Sequence, residues 1–438
     1  MSFIEVLATS VALIGPSMTP ILIAPFMFAL AGNATWLAYV FGVAMLFFVA
    51  LNINQFARRS SEAGSMYGYV ANNLGSTAGA LNGWTLLWAY GFTAAAVLGA
   101  MGLFGDMLLR DVGVHAPLVV IAVVVAAIAW QAAYRGVQIS AIVMLVLEVI
   151  SVIVICIVVG VVLFKHGPSI DVNQLTLKGG FPGGIGLALA YAMFSFVGFE
   201  SATAFGAEAK APLVTIPRAV IGSVLFAGAF FIVVTYAEIV GMAHAAQPLD
   251  KQTFPLGTLV DLFGIGFLRV PLTIGALCSA FSVCLACITT AGRIAYAMAA
   301  EGSLPAVFAR IDPEHDTPNV AVTVVTAITL VIAAACLIGG VAPIDVFNNC
   351  GTLSSFGFIL AYAMISIGAA VFVRRRGERR VVDLLVSAIA VALLVFAAAM
   401  LFFPLPAPPQ RYFAYYFIAF LVLGWAWFAL RRRSVAVT

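Results

Sequence analysis

The sequence predicts an all-α membrane protein of twelve transmembrane helices. Three observations predict it: the scarcity of charge, the recurrence of long apolar runs, and the placing of the basic residues. Of the 438 residues, 63% are hydrophobic and 9% are charged, whereas a soluble globular chain carries about 25% charged residues. Water is therefore not the main solvent.

Twelve apolar runs lie near residues 7–31, 34–56, 78–109, 117–134, 139–164, 183–207, 215–241, 270–300, 319–340, 345–373, 381–403 and 412–430. Each has the roughly 18 residues or more needed to cross a ~30 Å hydrocarbon core. The first has no basic leader, is too long for a signal-peptide core and runs directly into the second, so it is expected to stay in the mature protein. No soluble domain interrupts the series. The longest polar connections, 165–184, 243–264 and 300–318, read as loops with short helical pieces, because Pro and Gly recur every few residues.

With both termini placed in the cytoplasm, Arg58, Arg59, Arg135, Lys210, Arg218, Arg293, Arg310, Arg374 to Arg376, Arg379, Arg380 and Arg431 to Arg433 fall inside, fifteen of the twenty-one basic residues. Arg110, Lys165, Lys178, Lys251, Arg269 and Arg411 fall outside. The positive-inside rule favours this orientation and an even number of spans. The net charge of +3 then reports topology, and nucleic acid is not an expected partner.

Two spans carry interruptions. The first holds "LIGPSMTPILIAP" (13–25), where Pro16, Pro20 and Pro25 each lack an amide donor and crowd the preceding turn. The sixth holds "FSFVGFESATAFGAEAKAP" (194–212), loosened at Gly198 and Gly206. A shift of five spans reverses direction, so the pattern predicts two inverted five-helix repeats, residues 1–164 and 183–373, each opened by a broken helix. Two further helices fill 381–430. An unsatisfied backbone group in lipid costs several kcal/mol, so breaks survive only inside protein or beside a watery cavity. A simple proline kink is the bland alternative for the first span alone. The matching break in the sixth favours a binding site.

Glu200 stands beside that second break. A carboxylate within a span costs about 3 kcal/mol on insertion scales and commonly marks an ion or substrate pathway. It is suited to taking and releasing a proton; the alternative is a structural acid that anchors the unwound turn. Glu148, in "MLVLEVISVIV", sits about ten residues into its span, roughly 15 Å at the helical rise. A coupling role and a neutral carboxyl packed between helices stand level for it. Glu238 and Asp106 lie near outer span ends, within expected reach of water, and Arg293 lies near an inner end, where it can snorkel. Thr289 and Thr290 either bond back to their own helix or, with carbonyls freed by a break, offer oxygens to a hard cation. Cys284 and Cys287 spell CxxC, but no second pair or nearby histidine completes a metal site, so no metal and no cofactor is expected.

At a broken helix, one half ends in free N–H groups that attract anions and the other in free C=O groups that attract ammonium or metal cations. A small zwitterion or amine would find partners at both.

The stretches "FSFVGFESA" and "AEAKAPLVTIPRAV" resemble segment six and the following loop of the amino acid–polyamine–organocation permeases, and "GFES" is similar to the glutamate-bearing turn of the arginine/agmatine antiporters. Residues 58–90 resemble that family's loop between segments two and three, and "GRIAYAMAAEGSLPAVFARI…TPNVAV" its segment-eight exit. The resemblance implies a leucine-transporter-like fold working by alternating access. It implies that the turn from Gly15 to Pro20, with Ile14, Gly15, Ser17, Met18 and Thr19, meets the polar end of the solute. It also implies an aromatic gate at Phe194, a polar contact at Thr93, carbonyls offered to an amine at Val197 and Gly198, a pocket residue at Ile288 and a proton-sensitive acid at Glu200.

Three departures bear on the substrate. Met18-Thr19-Pro20 replaces the glycine-rich turn that cradles an α-carboxylate, and is similar to the turn of polyamine-importer-like members. Ile288 stands where the antiporter has a stacking tryptophan. Ser151 stands where some proton-coupled members carry a lysine.

The expected function is a secondary active transporter of an amino acid or related amine in the cytoplasmic membrane. Coupling to H⁺ is expected as symport or exchange, with Glu200 and Glu148 in the proton path. The alternative is a polyamine or other amine importer or exchanger, with Na⁺ as the other coupling ion. The lipid bilayer is the surrounding partner, and the protein is expected as a monomer or homodimer. An enzyme would need a nucleophile with its base, paired aspartates or metal ligands at mid-membrane depth, and no such motif is legible. A channel, or a sensor without transport, would be set apart by flux measurements, because a carrier saturates and shows counterflow.

Overall fold

The computed structural model describes residues 1–59, 66–136, 138–205, 209–377, 381–403 and 405–435. Gly206, Arg379, Arg380, the side chains of Arg431 to Arg433 and part of the 58–90 stretch lie outside the described residues. Regular structure among the described residues is helical throughout. In chain order it comprises α1 (Phe3–Ile14), α2 (Met18–Ala31), α3 (Thr35–Ala57), α4 (Met66–Leu74), α5 (Ser76–Asp111), α6 (Leu118–Arg135), α7 (Gln138–His166) and α8 (Val172–Leu175). Then follow α9 (Pro182–Phe194), α10 (Pro212–Met242), α11 (Pro255–Leu262), α12 (Arg269–Ala300), α13 (Asn319–Ile338), α14 (Pro343–Arg375), α15 (Val381–Met400) and α16 (Phe413–Val435).

Eleven helical stretches among the described residues are long and apolar enough to cross a membrane, where the sequence counts twelve runs. The difference lies at the start of the chain. α1 has 12 residues and falls short, while Met18–Ala57 stays helical for 40 residues through a single 3-10 turn at Gly32–Ala34. Gly32, with φ +58°, interrupts it; a side chain there would collide with the carbonyl of Gly179. The predicted short pieces in the polar connections are present as α8, α11 and a 3-10 turn at Leu249–Lys251. The helix α4 was not foreseen, because "MYGYVANNL" has too few apolar residues to register as a run.

The first predicted break is a clean one. α1 is closed at its start by a capping box between Ser2 and Glu5, and at its end by Gly15 in the left-handed conformation. The chain resumes as a helix only at Met18. Pro20 falls in the first turn of α2, where a missing N–H leaves no hydrogen bond unmade, and Pro25 is carried inside α2. The second break follows Phe194: the chain turns through Gly198, φ +107°, and continues as a 3-10 helix over Phe199–Phe205.

α5 is the central post. It packs on α12, on α14 and on α16. On α14 the indole N–H of Trp88 donates to the carbonyl of Leu353 at 2.7 Å. On α16 the Trp84 N–H donates to the carbonyl of Phe420 at 2.9 Å and its ring stacks on the Phe420 ring at 4.5 Å. α15 is held to α3 by two polar pairs, Gln55 with Asp383 and Ser387 with Asn52.

Candidate substrate-binding site

The two breaks meet. A methyl group at Gly198 would stand 2.6 Å from the carbonyl oxygen of Leu13 and 3.3 Å from the nitrogen of Ile14, so only glycine permits this backbone-to-backbone contact. Beyond the breaks the 3-10 segment lies along α1, with the hydroxyl of Ser201 donating to that of Ser10 at 3.4 Å. The amide of Lys210 donates to the carbonyl of Met1 at 2.8 Å.

Beside the junction is a small cavity. Ile14 of α1 lines it with Met18, Thr19 and Ile23 of α2, Thr93 and Val97 of α5, Phe194 and Val197 at the end of α9, Val283 of α12 and Phe347 of α14. The side chains crowd it to about the room one water needs. Its lining is apolar except for two threonines. Thr19 Oγ1 donates to the carbonyl of Gly15 at 2.9 Å. Thr93 Oγ1 lies 2.9 Å from the carbonyl of Ala89 and 2.7 Å from the hydroxyl of Ser354. Of the residues expected at a solute, Ile14, Met18, Thr19, Thr93, Phe194 and Val197 are brought together here.

Gly15 is not itself a lining residue, though a β-carbon on it would stand 2.7 Å from Val283 and 3.4 Å from Met18, which are; Ser17 faces elsewhere. The Ser17 N–H donates to Glu148 Oε1 of α7 at 2.9 Å, and the same oxygen accepts from the hydroxyl of Ser279 on α12 at 3.1 Å. The amides of Met18 and Thr19 both donate to the carbonyl of Gly15, at 3.2 and 3.1 Å. The turn that the resemblance assigns to a carboxylate thus has its own amides engaged, and the positive end of α2 is met by a carboxylate of the protein. Glu148 is 2% exposed; its Oε2 and the hydroxyl of Ser17 have no partner among the described residues. It is Glu148, not Ser151 one turn later, that reaches the first break from α7. Ser151 packs against Gly275 instead.

Glu200 is buried at 3% exposure. Tyr90 of α5 donates to its Oε1 at 2.6 Å, Tyr362 of α14 donates to Oε2 at 3.1 Å, and the N–H of Gly198 donates to Oε2 at 3.2 Å. The acid therefore ties the turn after the second break to two of the long helices. Gly198 is part of this lock rather than of the lining, and its carbonyl is taken by the Ser201 amide at 2.9 Å. Of the expected carbonyl pair, Val197 alone remains at the cavity.

Ile288 is fully buried but does not line the cavity; Val283 takes that place on α12. Thr289 donates to the carbonyls of Leu285 and Ala286 of its own helix. The α12 oxygen at the first break is Ser279, ten residues earlier, about 15 Å along the axis. Asp106 does pair with Arg110, at 2.9 Å, but Glu238 does not reach water: it is fully buried, with neither carboxylate oxygen partnered.

Tyr90, Tyr362, Ser279 and the lining residues Ile23, Val97, Val283 and Phe347 were not singled out from sequence. A signal existed for some of them. Tyr90, Thr93 and Val97 share one helical stripe by the i, i+3, i+7 spacing, so extending the stripe from Thr93 would have reached both neighbours.

A bundle of long apolar helices, interrupted at two places that touch beside an apolar cavity, defines a multi-pass membrane protein with a small central site. Comparison with known proteins is specific. A family model described as amino acid permease matches residues 1–426, and the chain belongs to this family of transporters, within the amino acid–polyamine–organocation superfamily. It is similar to the branched-chain amino acid permease BcaP of Lactococcus lactis subsp. cremoris, 27% identical over 369 residues that cover 80% of this chain and 76% of the relative. It is 26% identical to BcaP of Bacillus subtilis over 370 residues, 80% of this chain and 75% of the relative. The aromatic amino acid transport protein AroP of Escherichia coli K12 is likewise 26% identical over 370 residues, 80% and 77% of the two chains.

Proposed function

We propose that this permease is a secondary active transporter of α-amino acids with uncharged, apolar side chains, working by alternating access in the cytoplasmic membrane. The observation that carries the substrate class is the lining of the cavity. Eight of its ten residues are apolar, the two others are threonines, and no charged side chain lines it. A cationic amine such as arginine or a polyamine would bury charge there without a counter-ion, at a cost of several kcal/mol. The names of BcaP and AroP, which specify branched-chain and aromatic amino acids, point the same way.

In this reading α1 with α2 forms the first crossing and α9 with the 3-10 segment the sixth. The chain then makes twelve crossings with both termini in the cytoplasm. Residues 1–164 and 183–373 form inverted repeats, with helices over 381–430 added outside them. Thr19, Thr93 and the Val197 carbonyl meet the polar end of the solute, and Ile23, Val97, Val283, Phe194 and Phe347 meet its side chain. The cavity has room for about one water, so binding an amino acid requires these side chains to part. Protons drive the cycle, and Glu200 and Glu148 carry them, because each holds one break to the surrounding helices and loses an acceptor site when protonated.

The test is uptake into proteoliposomes of purified protein. Labelled isoleucine or phenylalanine is expected to accumulate under an inward pH gradient and to exchange in counterflow, with unlabelled arginine and putrescine failing to compete. Competition by arginine or putrescine at the same concentrations would overturn the substrate class. Accumulation under a sodium gradient alone would overturn the proton.

A further inference from the structure

The ring of Phe194 lies across a glycine. A methyl group built on Gly351 of α14 would stand 2.8, 3.1 and 3.2 Å from three carbons of that ring, all inside the 3.4 Å at which ordinary contact begins. Phe347, one turn earlier on α14, closes the side of this niche with its ring 5.7 Å from that of Phe194, centre to centre. We propose that Gly351 sets the upper size of the transported side chain, by giving the Phe194 ring a seat outside the cavity it lines. This rests on the amino acid reading above.

The argument turns on what can give way if the seat is filled. α9 cannot draw back from α14 freely, because one turn before Phe194 the hydroxyl of Tyr191 is bonded to that of Thr352 at 2.8 Å. Thr352 in turn donates to the carbonyl of Asn348 within α14. α9 and α14 are therefore tied together by a side-chain hydrogen bond one turn from the contact, and a ring pressed from behind turns at its own torsions. The open side is the cavity. A methyl at position 351 is thus transmitted through the ring as lost room for the solute. Small amino acids would tolerate the loss; branched and aromatic ones would not. In an apolar pocket, one methylene of misfit changes discrimination by about 10- to 200-fold.

The experiment compares uptake of alanine, isoleucine and phenylalanine by Gly351→Ala and by the double variant Gly351→Ala/Phe194→Leu in proteoliposomes. Gly351→Ala is expected to lose about tenfold or more in phenylalanine and isoleucine uptake relative to alanine. The double variant, with a smaller side chain in the seat, is expected to recover the bulky substrates. Recovery of both membrane yield and bulky-substrate uptake in the double variant supports the niche even where the single variant inserts poorly. An equal loss for all three amino acids, or an unchanged profile with wild-type rates, would overturn it. A wild-type protein that transports none of them would overturn the amino acid reading and the solute named here with it, whereas a transporting wild type with an unaltered Gly351→Ala profile overturns the niche alone.

Discussion

Gly198 and Leu13 are in contact through their backbones: the α-carbon of one faces the carbonyl of the other with no space for a β-carbon between them. Through this contact two chain breaks far apart in sequence become one junction. Gly198→Ala would place a side chain at φ +107° as well as against that carbonyl, a strain of about 1–3 kcal/mol. The variant is expected to melt at lower temperature in detergent and to lose counterflow. Gly91→Ala, where nothing lies within 4 Å, is the control and is expected to be neutral or mildly stabilising, by about 0.5–1 kcal/mol. Equal behaviour of the two variants would show that the junction tolerates a side chain.

Glu200 is held by two phenols and an amide, and each bond requires an acceptor on the acid. Glu200→Gln is expected to abolish uptake driven by a pH gradient while leaving counterflow of the same amino acid measurable. Tyr90→Phe is expected to slow both several-fold. Unchanged pH dependence of uptake in Glu200→Gln would remove the acid from the proton path.

Glu148 accepts from the Ser17 amide and the Ser279 hydroxyl through one oxygen. An amide side chain still offers that oxygen; a methyl does not. Glu148→Ala is therefore expected to destabilise the protein by about 1–3 kcal/mol, the cost of leaving a buried donor unmet, and Glu148→Gln by clearly less. Thermal unfolding in detergent separates the two. Identical melting temperatures would mean that the first break does not depend on this acceptor.

Glu238 presents the opposite case, a fully buried carboxyl with neither oxygen partnered. Replacing it by an apolar side chain of similar length removes an unmet desolvation cost. Glu238→Leu is expected to raise stability by about 1–3 kcal/mol, read as a higher melting temperature. A fall in melting temperature would reveal that the carboxyl has a partner of its own in solution.

The helices and the two breaks were legible from the sequence because lipid leaves the chain few choices: apolar length fixes the spans, and glycine and proline inside them show where helical bonding fails. Ile14, Met18, Thr19, Phe194 and Val197 came from the family resemblance and not from that pattern, and the fold brings all five to the lining of one cavity. What the sequence hid was rotation. A helix with apolar residues on all sides gives no period from which to read its facing, so nothing in the sequence tells that the amides of Ser17 and Gly198 bond to Glu148 and Glu200 or that Ile288 stands outside the lining. Glu148 and Glu200 stood out as isolated acids, but their partners Ser279, Tyr90 and Tyr362 come from three other helices. Nothing in a linear reading brings these together. Glu238 differs because nearness to a span end, which in the sequence predicts reach to water, does not by itself give exposure: the residue is fully buried.

The stacked pair of Trp84 and Phe420 has a practical consequence for anyone shortening the protein. Phe420 belongs to the last helix, and Trp84 shares α5 with the cavity residue Thr93 and with Tyr90. A truncation ahead of Phe413 would leave that indole with its ring bare and its N–H without an acceptor. The C-terminal helix is therefore a buttress for α5, and expression designs that trim it for crystallisation would loosen the helix that carries Thr93 and Val97 to the cavity.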